Sequence, residues 1–266
     1  KFMKFAIIND IHIGDYRQHN GIYRKATPHA EKLLKSFVHK MNKTFKPDFV
    51  VQGGDMIEDT NLATDKKNYK KGLAILSKLK CPVYHLVGNH ELKYLPEKFL
   101  KDSLGYKKFH FSFDKKNFRF IFLFTKRSYP SKEIRLDFSQ LKWLKKKVKT
   151  YKKIIIFTHY SPVPVNTRGN FWFSTRPDQT FIKNHREFLK IIAGKNVKLV
   201  FNGHLHWNKK MVLNGTHYIT VQSLVENTSG KVEGPPANAF ALVDLQDDKA
   251  TIKVMGEGGV SYKIGI

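Results

Sequence analysis

The chain has 266 residues, of which 41% are hydrophobic, and its 21 Phe, 11 Tyr and 3 Trp are ample for a buried core. No run of about 18 apolar residues is present, which excludes a membrane-spanning helix. Cys81 is the single cysteine, which excludes an internal disulfide. The net charge of +26 permits a nucleic-acid partner without favouring one, because Lys outnumbers Arg, the usual residue for bidentate phosphate recognition.

Strand and helix patterns alternate in the first third of the chain. Apolar runs at residues 5–8, 48–52 and 83–87 predict buried strands, and apolar residues at helical spacing predict helices at 30–45 and 66–79. Continuous apolar strands separated by helices predict a sheet that is covered on both faces.

Hairpins enter the pattern in the second part of the chain. The predicted elements are a hairpin of 109–113 and 118–124 with its turn at 114–117, helices at 139–149 and 188–193, strands at 154–157 and 199–201, and mostly strands from Met211 onward, with turns at 214–215 and 247–248. The later hairpins predict a second sheet packed against the first. No Pro/Gly/Ser-rich linker interrupts the pattern, so we predict a single domain over residues 1–266.

Five short motifs rich in metal-binding residue types follow strand-like runs. They are Asp10-Ile11-His12, Gly53-Gly54-Asp55, Gly88-Asn89-His90-Glu91, Thr158-His159 and Gly203-His204-Leu205-His206. Ligands of open α/β sheets gather at the carboxyl ends of the strands, so these motifs predict one shared site. Imidazole and carboxylate ligands suit Mn, Fe, Zn or Co, and their number is sufficient for two ions, an arrangement typical of phosphoester cleavage.

Local geometry accounts for two of these motifs. Residues two apart on an extended segment point the same way, so Asp10 and His12 are expected to face one ion. Gly53 and Gly54 are expected to let the backbone turn sharply and bring Asp55 between two ions.

The ordered set of motifs resembles the calcineurin-like metallophosphoesterases over about residues 5–219. The resemblance implies an α/β fold, a four-layer α/β/β/α sandwich of two mixed sheets flanked by helices. It implies two divalent or trivalent metal ions, Mn, Fe or Zn with Mn favoured, held by Asp10, His12, Asp55 and His206 on one side and by Asp55, Asn89, His159 and His204 on the other. It further implies in-line attack on phosphorus by a metal-bridging hydroxide, with His90 assisting the leaving oxygen and Glu91 orienting His90.

Some segments resemble the manganese-dependent ADP-ribose/CDP-alcohol diphosphatases, although His12 stands where that branch usually has Gln. These segments are Tyr23-Arg24, 82–85, 117–121, 140–144, 215–218 and 239–240. We predict substrate contacts from the loop that carries His19, Tyr23 and Arg24. Phe171, Trp172 and Phe173 are predicted to form an aromatic wall that stacks a base, with Arg168 and Arg176 meeting phosphate.

These observations favour a cytoplasmic hydrolase of small phosphodiesters or nucleotide diphosphate linkages, with a small phosphorylated substrate, preferably a nucleotide, as its partner. The alternatives are a cyclic-nucleotide or glycerophosphodiester phosphodiesterase, a nuclease, and a non-catalytic scaffold on the same fold. The metal site alone does not select among them, because one fold hosts many substrates.

Overall fold

Two six-stranded sheets form the centre of the computed structural model, which describes residues 2–128 and 133–266. The strands are β1 Met3–Ile8, β2 Phe49–Gln52, β3 Val83–His85, β4 Phe111–Lys115, β5 Phe118–Phe122, β6 Lys126–Arg127, β7 Ile134–Arg135, β8 Lys153–Thr158, β9 Val197–Asn202, β10 Lys209–Leu213, β11 Thr216–Thr220, β12 Phe240–Leu245, β13 Lys249–Met255 and β14 Val260–Gly265. β6 and β7 form a separate two-stranded ribbon.

The α-helices lie between these strands along the chain. They are α1 Ala30–Lys40, α2 Leu62–Leu76, α3 Asn89–Tyr94, α4 Glu97–Leu104, α5 Phe138–Lys147 and α6 His185–Ile192. α1 continues into a π-helical turn, Met41–Phe45, and 3₁₀ turns occupy Thr27–His29 and Pro177–Gln179. In the described part of the chain, no helix combines the length and the apolar character that crossing a bilayer requires.

The order of strands corrects one expectation about the two sheets. The first sheet runs β14-β13-β12-β1-β2-β3, and the second runs β10-β11-β9-β8-β5-β4. The second sheet contains the predicted β4–β5 hairpin and the β10–β11 pair, as expected. The last three strands, β12 to β14, instead join the first sheet, because β12 pairs antiparallel with β1. Apolar patterning specifies which face of a strand is buried but not which strand it pairs with.

Aromatic packing between the sheets holds the two inner layers together. The ring of Phe5 stacks on Phe49 at a centroid distance of 5.0 Å and meets Phe120, Phe157 and Phe201 edge-on at 5.7–6.0 Å. All five rings are almost fully buried. Stacked and edge-on pairs of this kind add to the stabilisation from buried apolar area.

Helices cover the outer faces of both sheets. On β1, Phe5 and Ile7 face the second sheet, whereas Ala6 and Ile8 pack in the cluster that contains α1 and α2. α5 and α6 pack against the outer face of the second sheet in a separate cluster. The four layers confirm the predicted α/β/β/α sandwich.

Two differences between predicted and observed helices matter for the site. α2 begins at Leu62, earlier than expected, because the Asn61 side chain accepts a hydrogen bond from Thr64 N (3.0 Å) and caps the helix. The sequence did not predict α3 or α4, which are six and eight residues long. As a result, Asn89 and His90 lie in the first turn of a helix.

Truncating the aromatic core is expected to destabilise the fold. Phe120 is fully buried between the sheets, so Phe120→Ala should lower the free energy of unfolding by about 3–5 kcal/mol. Phe138→Ala is the control, because Phe138 is 81% exposed. Its effect on the free energy of unfolding should stay within about 0.5 kcal/mol. Urea unfolding measures both; equal effects would contradict the packing described above.

Candidate metal centre

The five motifs converge where the carboxyl ends of the two sheets meet. Three of them follow β1, β2 and β3 in the first sheet, and two follow β8 and β9 in the second. Backbone hydrogen bonds join neighbouring loops, from Asp10 N to Gly54 O and from Gly203 N to His159 O, both at 3.1 Å. The predicted shared site therefore forms, at a junction of two sheets rather than along one.

Several predicted ligands have left-handed backbone conformations. The φ angles are +48° at Asp10, +50° at His12, +51° at Asp55, +67° at His204 and +49° at His206. The expected extended geometry of the Asp-x-His motif is thus wrong, because these residues lie in turns beyond the strand. Such conformations are unfavourable for residues other than glycine and persist where the surrounding structure over-determines them.

Two glycines make room for the ligand groups. A Cβ at Gly54, where φ is +97°, would lie 2.6 Å from His159 Nδ1. A Cβ at Gly88 would lie 2.1 Å from Asp55 Oδ1. Close approach is therefore a reason for glycine here, in addition to the sharp turn that the sequence predicts.

Asp10, His12 and His206 form the first ligand group. One donor atom from each lies within 4.8 Å of the others, and all three residues are buried. The Nε2 atoms of His12 and His206 are 3.0 Å apart, and Asp10 Oδ1 lies 3.7 Å from His206 Nε2.

Asp55, His159 and His204 form the second group, with Asn89 beside them. His159 Nε2 lies 3.2 Å from Asp55 Oδ2 and 3.3 Å from Asn89 Oδ1. These two groups correspond to the two sides implied by the family resemblance. The assignment of each side chain to a particular ion stays a prediction.

Buried carboxylates behind two of the histidines favour a proton on the ring nitrogen that faces away from the metal site. Glu58 Oε2 lies 2.9 Å from His12 Nδ1, and Glu226 Oε2 lies 2.6 Å from His206 Nδ1. With a proton on each Nδ1, the two Nε2 lone pairs face each other at 3.0 Å.

The second group shows the same arrangement. His159 Nδ1 donates to Gly53 O (2.9 Å), and His204 Nε2 donates to Gln179 O (3.1 Å). The remaining nitrogen of His159 therefore faces only acceptors, Asp55 Oδ2 and Asn89 Oδ1. Burial opposes protonation of His159, but Asp55 outweighs it and raises the pKa of His159 to about 9, so a proton and a metal ion compete for Nε2. Converging acceptor atoms are what a cation requires, so the donor set fits a dinuclear divalent metal centre.

The charges of the site favour the ligating forms of two residues. Burial opposes ionisation of Asp55, but His159 and His90 outweigh it and hold the pKa of Asp55 well below its ordinary value. Burial, with Lys25 next in importance, lowers the pKa of His12 well below its usual range. An ionised carboxylate and a neutral imidazole are the forms that bind metal.

His90 lies beside the centre with its ring held by a carboxylate. Its Nδ1 is 2.5 Å from Asp59 Oδ1, and its Nε2 is 3.9 Å from Asp55 Oδ2. Burial and Lys25 oppose protonation of the ring, but Asp55, Glu58 and Asp59 outweigh them and raise the pKa of His90. This environment favours the protonated ring that a proton donor needs.

The expected role of Glu91 requires correction. Its buried carboxylate accepts hydrogen bonds from the backbone N–H groups of Gly88 (2.8 Å), Asp55 (3.0 Å) and Met56 (2.5 Å). Asp59, rather than Glu91, contacts the His90 ring, because successive residues of α3 point in different directions. Glu91 is therefore a positioning residue for the Asp55 loop. Burial, followed by the charge of Asp55, raises its pKa to about 7.

A cavity of about 340 Å³ opens beside both ligand groups. Among the predicted substrate residues, His19 and Trp172 line it, and their ring centroids are 4.7 Å apart. Phe173 and Arg176 line it as well. Two of the three predicted wall residues, Trp172 and Phe173, are thus adjacent to the ligand groups, whereas Phe171 does not line the cavity. Together with His19 they form the aromatic wall of this cavity.

Three other predicted substrate residues do not line this cavity. Arg24 Nε lies 2.5 Å from Glu226 Oε1, and its guanidinium stacks on Phe171 at 4.7 Å. Tyr23 stacks on Tyr16 at 3.9 Å. Arg168 is exposed on its own loop. For these three, sequence proximity to the motifs did not predict the direction of the side chain.

The sequence analysis did not identify four polar residues of the site. Glu58 and Asp59 follow Asp55 by three and four residues, a spacing that offered a weak signal. Lys25 and Glu226 lie in loops with no motif of their own. Glu226 contacts His206, Arg24 and Trp172 Nε1 (3.1 Å) while being fully buried.

Comparison with known proteins agrees with this geometry. Residues 3–208 match the family model described as Calcineurin-like phosphoesterase. A Coxiella burnetii protein named "Probable cyclic nucleotide phosphodiesterase" is 27% identical over 214 residues, covering 77% of this chain and 76% of the relative.

Two solved structures are similar in fold. A dimetal phosphatase from Danio rerio superposes with a TM-score of 0.79 at 19% identity, over 99% of this chain and 98% of that one. GAP50, the anchor in the inner membrane complex of Plasmodium, superposes with a TM-score of 0.61 at 14% identity, over 100% and 89%. The family match covers most of the chain and all five motifs, and the ligand groups suit two divalent ions; the protein is a metal-dependent phosphoesterase that belongs to the Calcineurin-like phosphoesterase family.

Proposed function

We propose that the protein hydrolyses small nucleotide substrates at a diphosphate or phosphodiester linkage. The observation that carries this proposal is the aromatic wall of His19, Trp172 and Phe173, which lines the same cavity as Asp55, His204 and other ligand residues. A base stacks on aromatic side chains whatever its identity, so a phosphoryl group at the ligand residues places a nearby base within reach of this wall.

The ligand groups define where the scissile phosphoryl group would lie. Asp10, His12, Asp55 and His206 would hold one ion, and Asp55, Asn89, His159 and His204 the other. Two bound divalent ions supply positive charge that activates water and offsets the charge of the phosphoryl oxygens. In-line attack on phosphorus and the preference for Mn stay predictions from the family resemblance.

His90 would supply the proton for the leaving oxygen. Asp59 holds Nδ1 at 2.5 Å, which directs Nε2 toward the side of the ring where Asp55 lies. A general acid must be within hydrogen-bond reach of the group that departs, and His90 lines the cavity beside the ligand residues.

Diphosphate-linked nucleotides are the first candidate substrates. Arg17, Lys93, Arg127 and Arg176 line the cavity in addition to the ligand groups, and this charge suits a substrate with more than one phosphate. The segments that resemble ADP-ribose/CDP-alcohol diphosphatases support the same choice.

Cyclic nucleotides are the second candidate. The name of the Coxiella burnetii relative and the presence of His12, where the diphosphatase branch usually has Gln, support it. An activity screen in Mn²⁺ over ADP-ribose, CDP-alcohols, cyclic nucleotides, glycerophosphodiesters and nucleic acid separates these classes. Turnover of glycerophosphodiesters or nucleic acid alone would overturn the proposal.

Replacing Asp55 is expected to abolish hydrolysis. Asp55→Asn removes the negative charge between the two ligand groups, so turnover of bis-p-nitrophenyl phosphate in Mn²⁺ should fall by more than about 100-fold. Mutating a residue that only supports a metal ligand typically lowers activity by about 10- to 100-fold, and loss of a ligand should exceed that. Bound metal, measured by mass spectrometry, should fall in parallel, and EDTA should inactivate the unmodified protein reversibly.

Asp102→Asn is the matched control for that substitution, because Asp102 pairs with Lys98 on the exposed surface of α4. It should leave both activity and metal content unchanged. Full activity of Asp55→Asn would contradict the proposed centre.

Removing the aromatic wall is expected to weaken recognition of the base. Trp172→Ala should reduce kcat/KM for thymidine 5′-p-nitrophenyl phosphate by about 5- to 150-fold, since stacking contributes about 1–3 kcal/mol per base. Methyl p-nitrophenyl phosphate has the same leaving group and no base, so its kcat/KM should change by less than about threefold on the same reasoning. Trp143→Ala on α5 is the control, and equal losses on both esters would refute base stacking.

A further inference from the structure

Lys25 is a buried cation that neither the ligand groups nor the aromatic wall requires. The residue is 5% exposed, and its ammonium lies 2.6 Å from Glu58 Oε2 and 3.5 Å from His90 Nε2. It also lies 5.3 Å from the centre of the Trp172 ring. The charge thus sits between the expected proton donor and the wall.

The backbone around Lys25 is held firmly in this position. Lys25 forms an isolated β-bridge with Glu226, and Ala26 N donates to Val225 O (2.8 Å). The side chain therefore extends from an anchored segment toward the cavity, which it lines. An anchored charge loses little additional freedom when a ligand binds.

Lys25 already supplies a cation at a third ligand-like cluster. Donor atoms of His12, Glu58 and His90 lie close enough to hold a metal ion. The ammonium is 2.6 Å from the Glu58 carboxylate, so this cluster already contains a positive charge from the protein. Burying an ammonium is costly, and one carboxylate is its sole ion-pair partner among residues 2–128 and 133–266.

An ammonium has three N–H donors, and Glu58 accepts from one of them. His90 Nε2, at 3.5 Å, is at the limit of a hydrogen bond. A protonated His90 ring offers no acceptor at that nitrogen, so within the described ranges Glu58 is the one acceptor for the ammonium, and two donors remain for a group that enters the cavity beside His90.

We propose that Lys25 is a catalytic residue that binds a non-bridging oxygen of the leaving group and thereby makes this site selective for diphosphate linkages. This inference rests on the proposed function. It assigns Lys25 to the leaving group, and it selects diphosphate-linked nucleotides over cyclic nucleotides as the substrate class.

The chemistry of the two leaving groups explains the selectivity. Water adds to phosphorus through its oxygen and releases a proton to the solvent, while the bond from phosphorus to the leaving oxygen breaks and that oxygen keeps the electron pair. In a cyclic nucleotide it becomes an alkoxide that must take a proton, which His90 can donate. In a diphosphate it becomes part of a phosphate, whose second pKa of about 6 makes added positive charge more useful than a proton.

Two further cations line the same cavity and contact Asp59. Arg17 donates to Asp59 O (2.6 Å), and Lys93 pairs with the Asp59 carboxylate. Both line the cavity with Lys25. Half-buried Arg17 and exposed Lys93 thus add positive charge to the cavity that Lys25 lines.

The test compares two substrates that differ in leaving group. Lys25→Met should lower kcat/KM for ADP-ribose by about 100- to 1000-fold, the effect of losing one donor to a developing oxyanion. Thymidine 5′-p-nitrophenyl phosphate has an uncharged aryl group on the leaving oxygen, so its kcat/KM should fall by less than about fivefold by the same argument. Lys25→Arg should restore most of the ADP-ribose activity because it keeps the charge.

Glu58 requires its own control, because Lys25→Met leaves a buried carboxylate unpaired next to His12. The double variant Lys25→Met/Glu58→Gln removes that charge, and metal content is measured for each protein. Glu58→Gln alone is the reference for this double variant, because both proteins carry the same change behind His12 Nδ1. Relative to Glu58→Gln at saturating Mn²⁺, the double variant should show the same selective loss on ADP-ribose. Lys71→Met is the matched lysine control, since Lys71 pairs with Glu31 on the surface (2.7 Å) and should leave both activities unchanged.

The outcomes separate this inference from the proposed function. Equal losses on both substrates in the single and double variants would overturn the role of Lys25, leaving it as a neutraliser of Glu58. Unmodified protein that cleaves the thymidine ester or cyclic nucleotides but no diphosphate would overturn the inference alone. Unmodified, Mn²⁺-loaded protein that cleaves none of these nucleotides would overturn both.

Discussion

The organisation of the site depends on a cluster of closely spaced acceptor atoms at the junction of the two sheets. The Asp55 carboxylate lies 3.2 Å from His159 Nε2, and the Nε2 atoms of His12 and His206 are 3.0 Å apart. Carboxylate and carbonyl oxygens beside the opposite ring nitrogens leave these acceptor atoms converging, an arrangement that a cation, whether a proton or a metal ion, stabilises. The left-handed backbones of the motif loops add to that cost. The aromatic core between the sheets opposes it, because it anchors the strands from which the loops emerge.

A buried carboxylate connects the ligands to the wall of the cavity. Glu226 contacts His206 Nδ1 at 2.6 Å, Trp172 Nε1 at 3.1 Å and Arg24 Nε at 2.5 Å. The position of a ligand and the position of the stacking ring are therefore coupled through one side chain. Arg24, predicted to bind substrate, instead satisfies the charge of Glu226 and supports the wall from behind.

The family fold accounts for the type of reaction, whereas the residues that line the cavity bear on the choice of substrate. A dinuclear centre explains why members of the family cleave phosphoesters, and the Danio rerio and Plasmodium structures share the fold at identities below 20%. Fold and centre do not select a substrate. We propose that this choice depends on Lys25 and Trp172, which would meet the leaving group and the base rather than the metal ions.

The sequence by itself determined the two sheets, the five motifs and the ligand chemistry, because apolar periodicity and the residue types at strand ends are local properties. The four-layer order of sheets and helices followed from the family resemblance. The pairing of β12 with β1 was decided by tertiary structure, as were the helical start at Asn89 and the directions of the substrate-loop side chains. Tertiary structure also decided that Asp59, rather than Glu91, contacts the His90 ring. It likewise placed Lys25 and Glu226 at the site, although neither belongs to a motif. Arg24 and Glu226 are 202 residues apart in the chain, and only the completed fold brings such groups into hydrogen-bond contact.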